Sequence, residues 1–326
     1  MEINAWILLL FGYFLAGLFF LGKLLWRALR YTEAKPTLRQ SRFFNPERHR
    51  SQPRPKPIFE FICVYLLFVI WLCHTGFLVW HSYLLKTPPV TSMYETFIFV
   101  AWVISLSVLL LKRYSEFLLP MGAFSSAFFL FLAYAFYRPD VPLAPVLNAP
   151  FWLLVHVLVI VASYGFFFVS ALASHVYLFT GKRPWYQIVF PCHLVGVGLF
   201  VLGTILGGLW AAKTWGSFWS WDVKESWAFI TICIYLMALH LESLKMASSR
   251  MICLISSVGF LSVTFTWYGI NFVLKKGMHV YGFGEGRIQF YNLFVVVDLL
   301  SLFYLMIRAK RILKNPFLQE SDSPLR

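Results

Sequence analysis

Apolar residues run along the chain in nine stretches, and polar residues collect between them. A hydrocarbon core of about 30 Å takes about 20 helical residues to cross. The stretches lie at 5–26, 58–80, 94–111, 117–137, 151–179, 188–210, 227–244, 251–274 and 288–307. Runs such as FFFVSALA do not alternate between apolar and polar residues, as transmembrane strands would. The pattern therefore predicts an all-α polytopic integral membrane protein with about nine transmembrane helices.

The composition agrees with this pattern. The 326 residues are 60% hydrophobic and only 13% charged, which excludes a soluble globular fold. The first stretch is too long for a signal-peptide core and has no cleavage-like site, so it is predicted to be a helix. The five cysteines form no CxxC pair and are expected to be small apolar core residues. Because CxxCH is absent from the sequence, the chain is not itself a c-type cytochrome.

Lys and Arg are distributed unevenly between the two sets of connections. One set carries 20 of the 28 and the alternate set carries 7, with Lys23 inside the first stretch. The positive-inside rule then places the amino terminus outside and the carboxyl terminus in the cytoplasm. The net charge of +14 is spread over several loops rather than one face, so no nucleic-acid partner is expected. We divide the chain into a first helix with a basic loop (1–57), a central membrane domain (58–287) and a last helix with a tail (288–326).

The connection between the sixth and seventh apolar stretches is rich in aromatic and charged residues. Residues 215–227 have the sequence WGSFWSWDVKESW, in which small residues separate four tryptophans. One or two tryptophans at a span end would suffice for an interfacial belt. The cluster instead favours a flat aromatic shelf for a large planar ligand, on the side predicted to be external. We call residues 211–226 the tryptophan loop.

Within this segment, position separates the expected roles. Asp222 and Glu225 have the N-cap and N3 spacing of a capping box before an apolar run, and direct ligand contact by Asp222 is the alternative. Trp210 and Trp227 lie at helix ends, where interfacial anchoring explains them. The tryptophans that we expect in the site are Trp215, Trp219 and Trp221.

Two histidines are expected on the same side of the membrane as the tryptophan loop. His156 lies one to two turns inside its predicted helix, and His279 lies in the segment KKGMHVYGFGEG. Neutral imidazoles hold haem iron from opposite faces, and indole rings pack against a porphyrin. The residues therefore suggest a bis-histidine haem site, with a structural role or a quinone-like aromatic ligand as alternatives. Zinc is less suited, because the sequence supplies no third and fourth protein ligands.

A third histidine is expected inside the membrane. His240 follows Ser226 by about fourteen residues, which is roughly 21 Å at 1.5 Å per residue. An ionisable side chain at that depth needs a partner. Of the other histidines, His49 is expected to be solvated, and snorkelling or a contact with a helix terminus explains His175 and His193. The sequence assigns no role to His74, His81 or the mid-span Asp298.

The pattern WGxxWxWDxxExW is matched in full between Trp215 and Trp227. Further matching segments are SMYETF at 92–97, FWLLVHVLVIVASYG at 151–165 and WYGINFVLKKGMHVYGFG at 267–284. Through these motifs the chain resembles the CcsA/ResC-type cytochrome c biogenesis proteins, a tryptophan-rich haem-handling family. The resemblance covers about residues 58–286, and the stretch at 288–307 extends beyond it.

The resemblance implies a set of site residues. It gives His156 and His279 as external axial ligands of haem b and His240 as an intramembrane haem ligand. The haem platform would consist of Trp215, Gly216, Trp219, Trp221 and Asp222, with Glu225 and Trp227 completing the motif. The lysines beside the motif, which can pair with haem propionates, are Lys213, Lys224, Lys275 and Lys276.

The resemblance also implies an activity. Haem would arrive from the cytoplasmic side and be presented to the two reduced thiols of an apocytochrome c CxxCH motif, forming thioether bonds as part of a cytochrome c synthase. A CcsB/ResB-type membrane partner would supply the companion intramembrane histidine, and thiol-reducing proteins would act indirectly. The membrane would be a bacterial cytoplasmic or a thylakoid membrane, with the site facing the periplasm or lumen. One alternative is haem delivery to a chaperone without attachment, and another is a transporter or quinone-binding subunit.

Overall fold

The computed structural model describes residues 2–33, 57–86, 89–115, 117–137, 150–274 and 288–313. Its helices are α1 Glu2–Glu33, α2 Pro57–Leu85, α3 Met93–Leu111, α4 Leu118–Ala135, α5 Pro150–Thr180, α6 Arg183–Trp215, α7 Val223–Ser243, α8 Ser249–Thr264 and α9 Ile288–Leu313. A short 3-10 turn, Lys112–Tyr114, follows α3, and α8 continues into a π-helix, Phe265–Leu274. Within these ranges there is no strand.

The prediction of an all-α polytopic membrane protein is confirmed. Eight of the described helical spans are long and apolar enough to cross a membrane, and α9 contains the shorter apolar stretch Asn292–Leu305. Many large apolar side chains point outward, which suits a surrounding of lipid rather than water. The outer helices α1 and α2 bury about a third of their spans, whereas α3 buries 78% and forms the centre of the bundle.

The ends of α6 and α7 bound the tryptophan loop. α6 begins at Arg183, five residues before the predicted start, because Pro184 in the first turn suits a helix amino terminus. It continues through Trp215 and is capped by Gly216, whose φ of 80° is in the left-handed region that glycine tolerates. α7 then begins at Val223. The non-helical part of the tryptophan loop is therefore limited to residues 216–222.

Glycines bring α6 close to α5. A Cβ at Gly203 would stand 2.8 Å from the Cβ of Ile160, and one at Gly207 would stand 2.6 Å from Cε1 of His156. The two glycines are four residues apart and share one face of α6, as in the small-residue motifs of membrane helix pairs. The position of His156 against α6 depends on this close approach.

Polar groups inside the bundle are paired across helices. His175 on α5 lies with Nε2 3.3 Å from Oδ1 of Asp298, which ties α9 to the bundle. His74 on α2 is fully buried, with Nδ1 3.2 Å from the hydroxyl of Tyr13 on α1. Such pairs are expected, because an isolated polar group in a membrane interior is costly. These two pairs explain the polar residues His175, Asp298 and His74 without any bound ligand.

Candidate functional site

A cavity of about 150 Å³ lies at the end of the bundle where α6 runs into the tryptophan loop. Its wall combines residues of the α2–α3 connection, α3, α5, α6, the tryptophan loop, α7 and the π-helix. Apolar and aromatic side chains dominate the wall, as in most small-molecule sites, whose volumes are typically about 300–1,000 Å³. A porphyrin is therefore accommodated only when side chains at the mouth move aside. Phe218 is the exposed aromatic of the wall, 45% exposed and lying against Gly208.

His156 enters the wall of the cavity from α5. Its Nδ1 lies 2.7 Å from the carbonyl oxygen of Gly203, a distance at which the N–H donates a hydrogen bond. Because Nδ1 carries the proton, the lone pair of the neutral ring is on Nε2. The ring is parallel to the indole of Trp210, with an interplanar angle of 6° and centroids 6.4 Å apart. Gly203, Gly207 and Trp210 of α6 thus fix the tautomer and the plane of this imidazole.

The tryptophan loop divides its aromatic side chains between the cavity and the outside. Trp219 lines the cavity, whereas Trp221 is 68% exposed and has a φ of 56°. Trp215 packs edge-on against Trp210 with ring centroids 5.0 Å apart. Trp227 packs on Phe265 at the start of the π-helix, with centroids 4.4 Å apart. Of the three tryptophans expected in the site, Trp219 therefore lies in the cavity wall, Trp215 lies behind it and Trp221 points away.

The predicted capping box is confirmed. Oδ1 of Asp222 accepts from the backbone N–H of Lys224 at 2.7 Å. Oε2 of Glu225 accepts from the backbone N–H groups of Ser220 at 2.8 Å and Asp222 at 3.1 Å. The carboxylates thus hold the loop in shape at the start of α7, where negative charge also complements the helix dipole.

A lysine joins the tryptophan loop to the π-helix. Nζ of Lys224 donates to Oδ1 of Asn271 at 2.9 Å, and Nδ2 of Asn271 donates to the carbonyl of Trp267 at 2.8 Å. All three residues line the cavity. A cation is thus held at the wall, where it can meet an anionic group of a ligand.

The remaining predicted residues lie elsewhere. Nζ of Lys213 stands 4.6 Å above the ring of Trp152, outside the cavity wall. His240 is exposed on α7, and its Nδ1 donates to the carbonyl of Leu236 at 2.7 Å. This bond leaves the Nε2 lone pair on a ring that faces away from the bundle. The predicted residues Lys275, Lys276 and His279 lie outside the residues that the structure describes.

Several residues of the cavity wall were not predicted from the sequence to belong to the site. Trp210 was explained as an interfacial anchor, but it is 1% exposed and parallel to the ring of His156. Asn271 and Trp267 face the cavity from the π-helix, and Thr91 faces it from the α2–α3 connection. The polar Asn271 within the apolar run WYGINFVL is the signal that could have indicated a site on that segment.

Comparisons with known proteins identify the family and several relatives of this chain. Residues 90–279 match the family model described as cytochrome c assembly protein. The chain is 36% identical to the protein NrfI of Wolinella succinogenes over 67% of this chain and 26% of NrfI. It is 29% identical to the cytochrome c biogenesis protein CcsA of Chlamydomonas reinhardtii, over 60% of this chain and 61% of that protein. It is 31% identical to CcsA of Prochlorococcus marinus, over 60% of this chain and 76% of that protein. The chain thus spans about a quarter of NrfI and less than two thirds of the algal CcsA.

Proposed function

The chain belongs to the cytochrome c assembly protein family, and we propose that it holds haem b at the cavity beside the tryptophan loop and presents it for covalent attachment. Its role in cytochrome c biogenesis and its transmembrane character follow from the family and the fold. In the proposal, haem is the substrate, and the acceptor is the reduced CxxCH motif of an apocytochrome c. The chain acts as the haem-presenting subunit of a cytochrome c synthase.

The orientation of His156 is the observation that carries this proposal. Donation from Nδ1 to the carbonyl of Gly203 leaves Nε2 as the nitrogen with which a neutral imidazole binds haem iron. The same hydrogen bond fixes the ring and raises its basicity as a ligand. A histidine that only joined two helices would need the hydrogen bond but no cavity beside its ring, and His156 has both.

We propose His279 as the second axial ligand. Its segment follows the π-helix, whose Trp267 and Asn271 line the cavity and which ends at Leu274, five residues before His279. Departures from regular α-helix of this kind are frequent at functional sites. This place in the sequence, next to a segment that lines the cavity, supports His279 as the second imidazole ligand.

The wall also supplies groups for the rest of the haem. Lys224 is the cation nearest to the cavity among the predicted propionate partners in the described residues. A propionate would replace the neutral Asn271 oxygen as its acceptor, so that both partners of the bond would be charged. Trp219 and Trp210 provide aromatic faces beside the ligand. Lys213, Lys275 and Lys276 remain candidates at the rim.

His240 has a separate part in the proposal, namely the loading of haem inside the membrane. Its ring faces outward from α7, so a ligand there would need a second ligand from another protein. A CcsB/ResB-type membrane partner is proposed to supply it. The outward lone pair on Nε2 supports this role, because a ring that merely ordered two helices would point inward.

The proposed function also has a direction across the membrane. The bias of Lys and Arg supports an external tryptophan loop, and therefore a site facing the periplasm of a bacterium or the lumen of a thylakoid. The thiols of CxxCH must be reduced there, which brings thiol-reducing proteins in as indirect partners. Haem then passes from His240 at membrane depth to the outer cavity.

Co-expression with a CcsB/ResB-type partner and a CxxCH reporter tests this function. We expect haem to co-purify with the complex and to appear covalently bound to the reporter after denaturing electrophoresis. His156→Ala should lower both, whereas His49→Ala, in the basic loop, should lower neither. Haem bound without reporter attachment would favour delivery to a chaperone instead. A complex that carries no haem would overturn the proposal in favour of a transporter or quinone-binding subunit.

A further inference from the structure

A buried carboxylate is hydrogen-bonded to Thr91, a residue of the cavity wall. Glu95 lies in the first turn of α3 and is 5% exposed. Its Oε2 accepts from the hydroxyl of Thr91 at 2.6 Å and from the backbone N–H groups of Thr91 at 2.7 Å and Ser92 at 3.0 Å. Its Oε1 lies 3.1 Å from Nε2 of His81 on α2, and the His81 residue is 3% exposed. Thr91, Glu95 and His81 thus form a continuous chain of polar groups, and Thr91 lines the cavity.

Helix capping alone does not account for this arrangement. Ser92 and Glu95 form a capping box, for which the bond from the Ser92 N–H to Glu95 and the return bond from the Glu95 N–H suffice. The box at the start of α7 offers an internal comparison. Among the contacts of the described residues, Glu225 accepts from backbone N–H groups, with neither a hydroxyl nor an imidazole. The hydroxyl and the imidazole on Glu95 are therefore additions to a capping box.

The chemistry proposed for this site is accelerated by a proton acceptor beside the attacking thiol. In thioether formation the thiol S–H bond and the vinyl C=C π bond break. An S–C bond then forms at the vinyl carbon next to the porphyrin, and a C–H bond forms at the terminal carbon. A cysteine thiol has an ordinary pKa of about 8.5, and the thiolate is the nucleophile, so a proton acceptor beside it accelerates the addition. No oxidant or reductant is consumed, because the proton removed from sulfur is balanced by the one added to carbon.

We propose that Thr91, Glu95 and His81 form the proton relay for the thiol that attacks the haem vinyl group. The Thr91 hydroxyl already donates to Glu95, so its oxygen lone pairs are directed away from the carboxylate. The Thr91 oxygen accepts the thiol proton while its own proton passes to Glu95. The reverse path returns a proton to the terminal vinyl carbon. Thr91 is thus the catalytic residue that contacts the thiol, Glu95 receives the proton through Thr91, and His81 positions Glu95. The inference rests on the proposed function of the cavity.

Thr91→Val tests the relay, and Thr180→Val is its matched control. Valine keeps the shape of threonine and leaves the Thr91 and Ser92 N–H bonds to Glu95 in place. Thr180 lies outside the cavity wall, and its hydroxyl donates to the carbonyl of Val176 in its own helix at 2.7 Å. The full chain with its membrane partner is loaded with haem and given a reduced CxxCH apocytochrome c. Haem retained per protein and the rate of covalent attachment are then measured.

Thr91→Val should retain haem normally and attach it about 100-fold more slowly, the lower end of typical general acid–base contributions. Thr91→Ser should restore most of the rate, and Thr180→Val should match the unmodified chain. An unchanged rate in Thr91→Val would overturn the relay alone. Equal loss of retained haem and rate would also overturn it, because Thr91 would then serve haem binding. Failure of the unmodified chain to attach haem would instead overturn the proposed function and the relay with it.

Discussion

Gly207→Ala perturbs His156, the proposed haem ligand, without changing its side chain. A Cβ at this position would stand 2.6 Å from Cε1 and 2.8 Å from Nδ1 of His156. Carbon atoms in contact prefer about 3.5–4.0 Å, so the ring must move by about 1 Å. The bond from Nδ1 to the Gly203 carbonyl is 2.7 Å long. A movement of that size would stretch it beyond about 3.2 Å, where hydrogen bonds of this type become weak.

The expected effect falls on haem affinity rather than on folding. Overpacking costs about 1–3 kcal/mol, and a helix-interior Gly→Ala change returns about 1 kcal/mol. The net loss of stability is therefore small. Groups that orient a metal ligand typically contribute 10- to 100-fold in metal affinity, so we expect a decrease of about that size.

Gly198→Ala on the same helix is the matched control, because a Cβ there meets nothing within 4 Å. Haem titration of both purified variants gives the affinity, and size-exclusion chromatography with thermal unfolding gives the integrity of the fold. Equal haem affinity in Gly207→Ala, Gly198→Ala and the unmodified chain would refute the assignment of His156 as a ligand oriented by α6.

Two further predictions follow from the placement of side chains. Trp219→Ala should weaken haem retention by about 0.5–1.5 kcal/mol beyond the effect of its buried area. Trp221→Ala should have little effect, because Trp221 is 68% exposed. Equal losses of haem in the two variants would contradict the assignment of Trp219 to the haem site. His240→Ala should lower the haem-to-protein ratio of the two-subunit complex at normal membrane abundance, with partial recovery in imidazole, and a normal ratio would contradict a loading role.

The helical fold was predictable from hydropathy because a bilayer sets the length of every span. The predicted 94–111 and 251–274 differ by at most two residues from Met93–Leu111 and from the span Ser249–Leu274. α6 extends beyond the predicted 188–210 by five residues at each end. There Pro184 and the polar end of LWAAKTW extend the helix beyond its apolar run.

The candidate site was only partly predictable. The spacing DVKE was enough to predict the capping box, because capping is local. The orientation of the tryptophans was not predictable, because positive φ angles at Gly216 and Trp221 redirect the chain within a few residues. Trp210 likewise could not be assigned, since its contact with His156 depends on how closely the glycines of α6 allow α5 to approach. Contacts between distant segments, such as His81 with Glu95, leave no periodic signal in the sequence.

The proposed function depends most directly on which side chains would bind the haem iron as axial ligands. Low-temperature electron paramagnetic resonance of the oxidised, haem-loaded chain should give the low-spin signal of two imidazoles. His156→Ala should convert it to a high-spin signal, and added imidazole should restore the low-spin signal by filling the vacated position. A low-spin bis-imidazole signal that persists in His156→Ala without added imidazole would show that His156 does not bind the iron.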